Sequence, residues 1–190
     1  LDRYDPLKNE FKHYVNIEND ESTISGNHIR YLAKDKKGNI WIATSGSGLN
    51  YFDIKTETFT RYLHDENDLN TISSNHVNAI VFDKDNNLWI GTNSSLDYYN
   101  RQTKKFEHHI LGFESFDRDK ALTIRALLLD NDGVLWIGSS NGLFTYDIYT
   151  ELFSHYRFDV TDPNSLSDDL INVIYQDSNG DVWIGTEYGL

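Results

Sequence analysis

Polar side chains recur at one position of a long sequence repeat and could together bind a polar ligand. They follow one another at intervals of 48, 47 and 47 residues, and each comes directly after an apolar residue: Arg30, Asn78, Arg125 and Asn172. Guanidinium and amide groups donate hydrogen bonds to hydroxyl and carboxylate oxygens. His28 and His76 lie two residues earlier in two of these runs and could stack on a sugar ring or hydrogen-bond to it. The six residues predict a ligand site if the fold brings them together, and bound water at the same positions is the alternative.

Other residue types that could do chemistry form no convincing pattern. His13, His108 and His155 share another repeat position, where the remaining copy has Arg61, so a surface position is a better prediction than a zinc site. The acidic segments lack the Asp-x-Asp-x-Asp-Gly calcium pattern, and neither a Gly-x-Ser-x-Gly motif nor a phosphate-binding loop occurs. A pair of carboxylates for glycoside hydrolysis could form in space, but nothing singles one out. We therefore expect no catalytic residue, no metal and no cofactor.

The element that must position these side chains is a repeat marked by tryptophan. The indoles share the spacing of 48, 47 and 47 residues, and each is followed by Ile and then by Ala or Gly: Trp41, Trp89, Trp136 and Trp183. The first copy contains four short strand-like runs, at residues 29–34, 39–44, 49–53 and 59–63, and no copy shows a helical period of 10 residues or more. Four strands in a repeat of this length are typical of a propeller blade. The sequence predicts an all-β fold, a β-propeller segment with four repeats of about 47 residues, each a four-stranded antiparallel blade.

The connection between the first two strands has the composition of a tight turn. Each copy has Asp at its start and Gly or Asn three residues later: Asp35 and Gly38, Asp83 and Asn86, Asp130 and Gly133, Asp177 and Gly180. Asp suits the first position of a type I turn, and Gly and Asn tolerate a left-handed backbone. We expect a positive φ at the fourth position of all four turns.

The tryptophan strand is apolar on both of its faces, as strands are when they are covered on both sides. In a propeller each sheet packs between two others, so the indoles are predicted to lie between blades. The small residue after Trp-Ile, such as Ala43 or Gly91, is predicted to leave room for a neighbouring aromatic ring.

The register of the repeat places both chain ends inside blades. Leu1 aligns with Leu49, Leu96, Leu143 and Leu190, so the chain is predicted to begin at the third strand of one blade and to stop where another third strand begins. We interpret residues 1–190 as a single propeller segment with repeats 1–48, 49–95, 96–142 and 143–190. Since the chain starts at Leu1 and has no methionine, we expect it to be an excerpt, part of a ring of about six to eight blades. The apolar sheet faces at its ends are expected to meet other blades or a second copy of the chain.

Charge narrows the choice of partners. The formal net charge is −13, which disfavours nucleic acid and direct contact with an anionic membrane. The connectors between blades, near 18–26, 65–75, 112–121 and 158–169, hold 13 acidic residues against only Arg118 and Lys120. A polyanion would be steered away from that rim, so a glycan ligand should be neutral or bound by local basic residues. The alternative is that these acidic residues only form turns.

Two stretches carry a family resemblance. Residues 67–75 read Asn-Asp-Leu-Asn-Thr-Ile-Ser-Ser-Asn and precede Leu-Trp-Ile-Gly-Thr at 88–92, and residues 162–167 precede Val-Trp-Ile-Gly-Thr at 182–186 in the same way. This pattern resembles the two-component regulator propeller repeat. The resemblance implies the periplasmic sensor part of a Bacteroides-type hybrid two-component system. Such a module would bind an oligosaccharide released from a polysaccharide and signal through a dimer to a histidine kinase outside this chain.

Three functions follow as hypotheses. A non-enzymatic, extracytoplasmic sensor module that recognises a carbohydrate breakdown product is the leading one. A propeller lyase or hydrolase is the first alternative, and a protein–protein scaffold without a small ligand is the second.

Overall fold

The computed structural model describes residues 1–109 and 122–189. These residues form sixteen strands and no helix. Within this part of the chain there is consequently no helix long and apolar enough to cross a membrane. The strands are β1 (Asp2–Asp5), β2 (Glu10–His13), β3 (Ile29–Lys34), β4 (Ile40–Thr44), β5 (Leu49–Asp53), β6 (Thr58–Tyr62), β7 (Val77–Phe82), β8 (Leu88–Thr92), β9 (Leu96–Asn100), β10 (Lys105–His109), β11 (Ile124–Leu129), β12 (Val134–Ser139), β13 (Gly142–Asp147), β14 (Phe153–Tyr156), β15 (Ile171–Gln176) and β16 (Val182–Thr186).

The strands form three complete blades and two half-blades. Blade 1 is β3–β6, blade 2 is β7–β10 and blade 3 is β11–β14, and each is an antiparallel meander in chain order. The amino-terminal pair β1–β2 and the carboxy-terminal pair β15–β16 form separate two-stranded sheets. The first strands of successive blades contact one another, from β3 through β7 and β11 to β15. The predicted all-β propeller fold is confirmed. In the repeat, β1 and β2 occupy the positions of the third and fourth strands of a blade.

The hairpins between first and second strands follow from their turn residues. The φ angles are 89° at Gly38, 67° at Asn86, 91° at Gly133 and 93° at Gly180, as the sequence predicted. In each turn the N–H of that residue donates to the carbonyl oxygen of the Asp three residues before it. Only residues that tolerate a left-handed backbone hold this conformation without strain.

Two of the tryptophans fill the interfaces between complete blades. Trp41 is 1% exposed, and its ring centroid lies 5.7 Å from that of Tyr99 in blade 2. Trp89 is 5% exposed and lies 5.5 Å from Tyr146 in blade 3. Trp136 is half-buried, whereas Trp183 is 53% exposed because it lies in the two-stranded β15–β16 sheet. The predicted packing between blades is confirmed for Trp41 and Trp89, and Trp183 departs from it.

The small residue after Trp-Ile accommodates an isoleucine rather than an aromatic ring. A Cβ atom added to Gly91 would lie 2.5 Å from Cγ2 of Ile124, and one added to Gly138 would lie 2.6 Å from Cγ2 of Ile171. The prediction of a ring was wrong because the tyrosines that meet the indoles belong to third strands, farther from the inner edge. These glycines instead let the first strand of the next blade approach closely.

Candidate functional site

The first strands β3, β7, β11 and β15, here called the inner strands, each contain a β-bulge at the repeat position of the predicted polar residues. The pairing register shifts between Ile29 and Tyr31, Val77 and Ala79, Ile124 and Ala126, and Ile171 and Val173. The extra residues, here called the bulge residues, are Arg30, Asn78, Arg125 and Asn172. A bulge takes one residue out of the ladder and re-aims its side chain. The fold thus gives all four polar side chains the same irregular backbone.

The bulge residues line one cavity of about 690 Å³ along the inner strands, which we call the groove. His76 lies in the same lining, so the structure brings together five of the six predicted site residues. His28 is exposed and is not a lining residue, although its backbone oxygen accepts a hydrogen bond from the Ser45 N–H. The remaining lining residues are Tyr31, Ala79, Asn93, Thr123, Ala126, Leu127, Val173 and Ile174.

The two asparagines among the bulge residues are already hydrogen-bonded. Asn78 Nδ2 donates to Asn93 Oδ1 and to the Ile124 carbonyl oxygen, both at 2.8 Å. Asn172 Nδ2 donates to Glu187 Oε2 at 3.0 Å, and its Oδ1 accepts from Arg125 Nη1 at 2.6 Å. These bonds tie blade 2 to blade 3, and blade 3 to β15. The asparagines therefore serve the structure as well as the groove.

The arginines keep donors available. Arg30 is exposed and donates no hydrogen bond to a described residue, and among the described residues Arg125 donates only to Asn172, through Nη1. A guanidinium carries several N–H donors in one plane, which suits recognition of oxyanions and vicinal hydroxyl groups.

Two polar residues of the groove lining, Asn93 and Thr123, were not among the residues predicted from the sequence, although the repeat contained a signal for both. Asn93 occupies the repeat position that follows the Trp-Ile-Gly-Thr run, and the other copies are polar there too: Ser45, Ser140 and Glu187. Thr123 occupies the repeat position of His28 and His76. Aligning every polar position of the four copies, and not only those of the inner strand, would have found them.

A second polar cluster joins a connector to blade 2. Asp97 is fully buried, and its Oδ1 lies 2.8 Å from His108 Nδ1 while its Oδ2 accepts from the Ser73 N–H at 2.8 Å. His108 Nε2 lies 3.1 Å from the Leu69 carbonyl oxygen. The hydrogen bond to Asp97 raises the pKa of His108. We call this arrangement the connector clasp.

Other copies use the same repeat position for a related purpose. Arg61 in blade 1 donates to the Thr23 carbonyl oxygen at 2.9 Å and to that of Asp20 at 2.6 Å. His155 in blade 3 stacks on Phe144 at a centroid distance of 3.9 Å. His13 and His108 are exposed, as the sequence suggested for this position, but in blades 1, 2 and 3 the side chain there also makes a tertiary contact.

The described acidic connectors form turns. In six places an Asp Oδ1 accepts the backbone N–H two residues later: Asp20, Asp65, Asp68, Asp159, Asp162 and Asp168. Hydroxyl and backbone N–H donors lower the pKa of Asp20 and Asp159, and backbone N–H and side-chain amide donors lower the pKa of Asp68. The connector at 112–121 lies outside the described residues. In the part of the chain that is described, no group of three or more His, Asp or Glu side chains could hold a metal ion.

The three complete blades are four-stranded antiparallel meanders, and their first strands form an inner row that carries the bulges. This architecture defines a class, the β-propeller repeat proteins. The family model for the two-component regulator propeller matches residues 23–46, 71–94, 120–141 and 165–188. The chain belongs to this family, as its repeats indicated.

Solved structures with the same fold include extracellular domains of bacterial one- and two-component systems and an enzyme. The extracellular domain of a protein described as a one component system from B. thetaiotaomicron is 25% identical, with a TM-score of 0.79 over 99% of this chain and 24% of that one. The extracellular domain of a hybrid two component system from the same organism is 20% identical, with a TM-score of 0.67 over 98% of this chain and 29% of that one. Virginiamycin B lyase from Staphylococcus aureus is 16% identical, with a TM-score of 0.66 over 99% of this chain and 56% of that one. This chain therefore spans about a quarter of the length of the first two structures, and no curated protein matches its sequence.

Proposed function

We propose that this chain is part of a periplasmic, non-catalytic sensor module of a two-component signalling protein, and that its groove recognises a carbohydrate breakdown product. The family and the extracellular domains with the same fold support the sensor role. A kinase, if one receives the signal, would lie outside these residues. A second copy of the chain or further blades are the protein partners that this role requires.

The observation that carries the proposal is the row of four polar bulge residues around one cavity. Bulges are frequent beside binding sites, where they re-aim side chains. The groove volume of about 690 Å³ lies within the range of small-molecule sites. Its lining combines amide, guanidinium and hydroxyl groups with the exposed ring of Tyr31, a mixture that suits the polar edges and apolar faces of a sugar.

The lyase likeness favours a second candidate, an enzyme, but the groove supports it less well. At 16% identity the likeness shows the fold alone. The described residues of the groove lining include no Asp or Glu, so His76 is the described residue in it that would have to act as acid or base at neutral pH. A scaffold that binds only protein is the remaining alternative.

Calorimetric titration of the chain with a panel of neutral and acidic oligosaccharides tests the proposal. We expect at least one to bind, and the Arg30→Ala/Arg125→Ala variant to bind it at least about tenfold more weakly, since hydrogen bonds to charged groups are among the stronger ones. An Arg3→Ala/Lys55→Ala variant removes the same charge away from the groove and should bind normally. Turnover of a saccharide would favour the enzyme, and absence of any binding would favour the scaffold.

A further inference from the structure

We propose that the groove is selective for saccharides that bear a carboxylate, such as oligosaccharides containing uronic acid. This inference rests on the proposed function and narrows its ligand class. It comes from the charges that line the groove and from the unused donors of its two arginines.

Among the described residues, the groove lining contains no acidic side chain on a very acidic chain. Asp and Glu make up 30 of the 190 residues, yet none lies among the described lining residues, whereas Arg30 and Arg125 both do. Glu187 is the carboxylate hydrogen-bonded to a lining residue, and it accepts from the Asn172 amide. The net charge of −13 acts on an anion mainly from beyond the groove, where salt screens it over roughly 10 Å. A bound anion would therefore meet positive charge at close range.

The two groove arginines differ from the other described arginines in their partners. Arg101 pairs with Asp35 at 2.9 Å, Arg157 with Asp169 at 2.8 Å, and Arg3 with Glu57 at 3.2 Å. Arg61 donates to backbone carbonyl oxygens. Within the described residues, Arg30 has no hydrogen-bond partner and Arg125 has only the neutral Asn172 amide. Positive charges that the fold does not neutralise are available to a ligand.

The geometry of the blades fits an acidic sugar chain better than a single small anion. Arg30 and Arg125 come from blades 1 and 3, and Asn78 of blade 2 lies between them in the repeat, fixed by its bonds to Asn93 and the Ile124 oxygen. A carboxylate can receive two parallel N–H donors from one guanidinium. Hydroxyl groups of neighbouring sugar units would then meet polar residues such as Asn93 and Thr123.

Short oligogalacturonides and their methyl esters form a matched pair of probes, because esterification removes the negative charge and keeps the sugar chain. We expect the acid form to bind at least about tenfold more tightly than the ester. Arg30→Gln and Arg125→Gln should each reduce binding of the acid and leave binding of the ester unchanged. Arg125→Lys, which keeps the charge but loses the planar pair of donors, should fall between Arg125→Gln and the unaltered chain. Arg3→Gln, which removes an arginine from β1, is the control and should change neither.

Each contrary outcome overturns a defined part of the account. If the ester or another neutral saccharide binds as tightly as the acid, the proposed sensor function stands and carboxylate selectivity is wrong. A sulfated disaccharide that binds while uronates do not would also overturn it. If no saccharide binds, both this inference and the proposed function fail. Near-ultraviolet circular dichroism of each variant shows whether its fold is intact, and a folded Arg125→Gln with unchanged acid affinity contradicts the inference.

Discussion

At the scale of single residues, backbone irregularity decides which side chains reach the groove. The sequence predicted a polar position in each inner strand, and five of the six candidate residues line one cavity. It could not predict the bulges, because no Gly or Pro marks them and single polar residues also occur in regular strands that face solvent on one side. It placed His108 at the surface, where His108 is indeed exposed, but it could not predict the contact with Asp97, because the burial of that carboxylate depends on tertiary packing.

The connector clasp predicts a pH dependence of stability. When protonated, His108 donates from both ring nitrogens, to Asp97 and to the Leu69 oxygen. Because its pKa is raised above 6.5 in the folded chain, its contribution is fully present below about pH 6.5 and is lost as pH rises through the raised value. His108→Arg copies Arg61 of blade 1 and keeps its charge, so its urea midpoint should fall less over this pH range.

The comparison between the unaltered chain and the His108→Arg variant isolates the contribution of His108 to the pH dependence of stability. Burial lowers the pKa of His109, which therefore acts in the opposite direction, but His109 is common to both chains. Urea midpoints measured in steps from pH 5.5 to about pH 9 would show the difference. Midpoints that change in parallel in the two chains would contradict the role assigned to His108.

At the scale of strands and blades, local sequence determines the hairpins and neighbouring blades determine the packing. The turns were predictable because Asp, Gly and Asn act within a few residues, and their φ angles agree. The contact between Gly91 and Ile124 was not predictable, because it joins residues of two blades. The chain itself offers a matched example, since Ala43 packs in the same core as Val77 at the corresponding positions.

Gly91→Ala should destabilise the chain, because its new Cβ would lie 2.5 Å from a methyl group of Ile124. Overpacking of this kind typically costs about 1–3 kcal/mol. Adding Ile124→Ala, which removes the Cγ2 methyl group that the new Cβ would meet, should make the cost of Gly91→Ala smaller. Thermal unfolding of both single variants and the double variant forms the cycle that measures the coupling. Strictly additive effects would show that the two residues do not meet as described.

At the scale of the whole molecule, exposed aromatic rings of the amino-terminal half-blade correspond to rings that are buried between complete blades. Tyr4 and Phe11 of the amino-terminal pair are exposed and lie 5.0 Å apart. Their repeat equivalents Tyr99 and Phe106 lie 4.5 Å apart and are buried in the core that contains Trp41. A cavity beside Trp136 occupies the corresponding place on blade 3. The larger ring that the sequence suggested remains a prediction, since β1–β2 and β15–β16 are separate sheets.

Completing the last blade should bury Trp183 about as far as Trp136, which is half-buried in blade 3. Leu190 repeats the position of Leu1, so appending a copy of residues 2–14 after Leu190 supplies a third and fourth strand in register with β16. We expect tryptophan emission to shift to shorter wavelength and acrylamide quenching to decrease. The control is an appended segment with Ser in place of its Tyr4 and Phe11 equivalents. It should give a smaller emission shift and a smaller decrease in acrylamide quenching. Identical spectra for all three chains would contradict the prediction.

The central claim is that bulge residues of neighbouring blades form one ligand groove. Nitrogen-15 NMR of the chain, titrated with the tightest-binding oligosaccharide of the panel, tests it residue by residue. We expect chemical-shift changes at the backbone amides of Arg30, Asn78 and Arg125 and at the arginine Nε–H groups. The chemical shifts of the connectors at 18–26 and 65–75 should stay the same. Shifts confined to those connectors, or absent from the bulge residues, would contradict it.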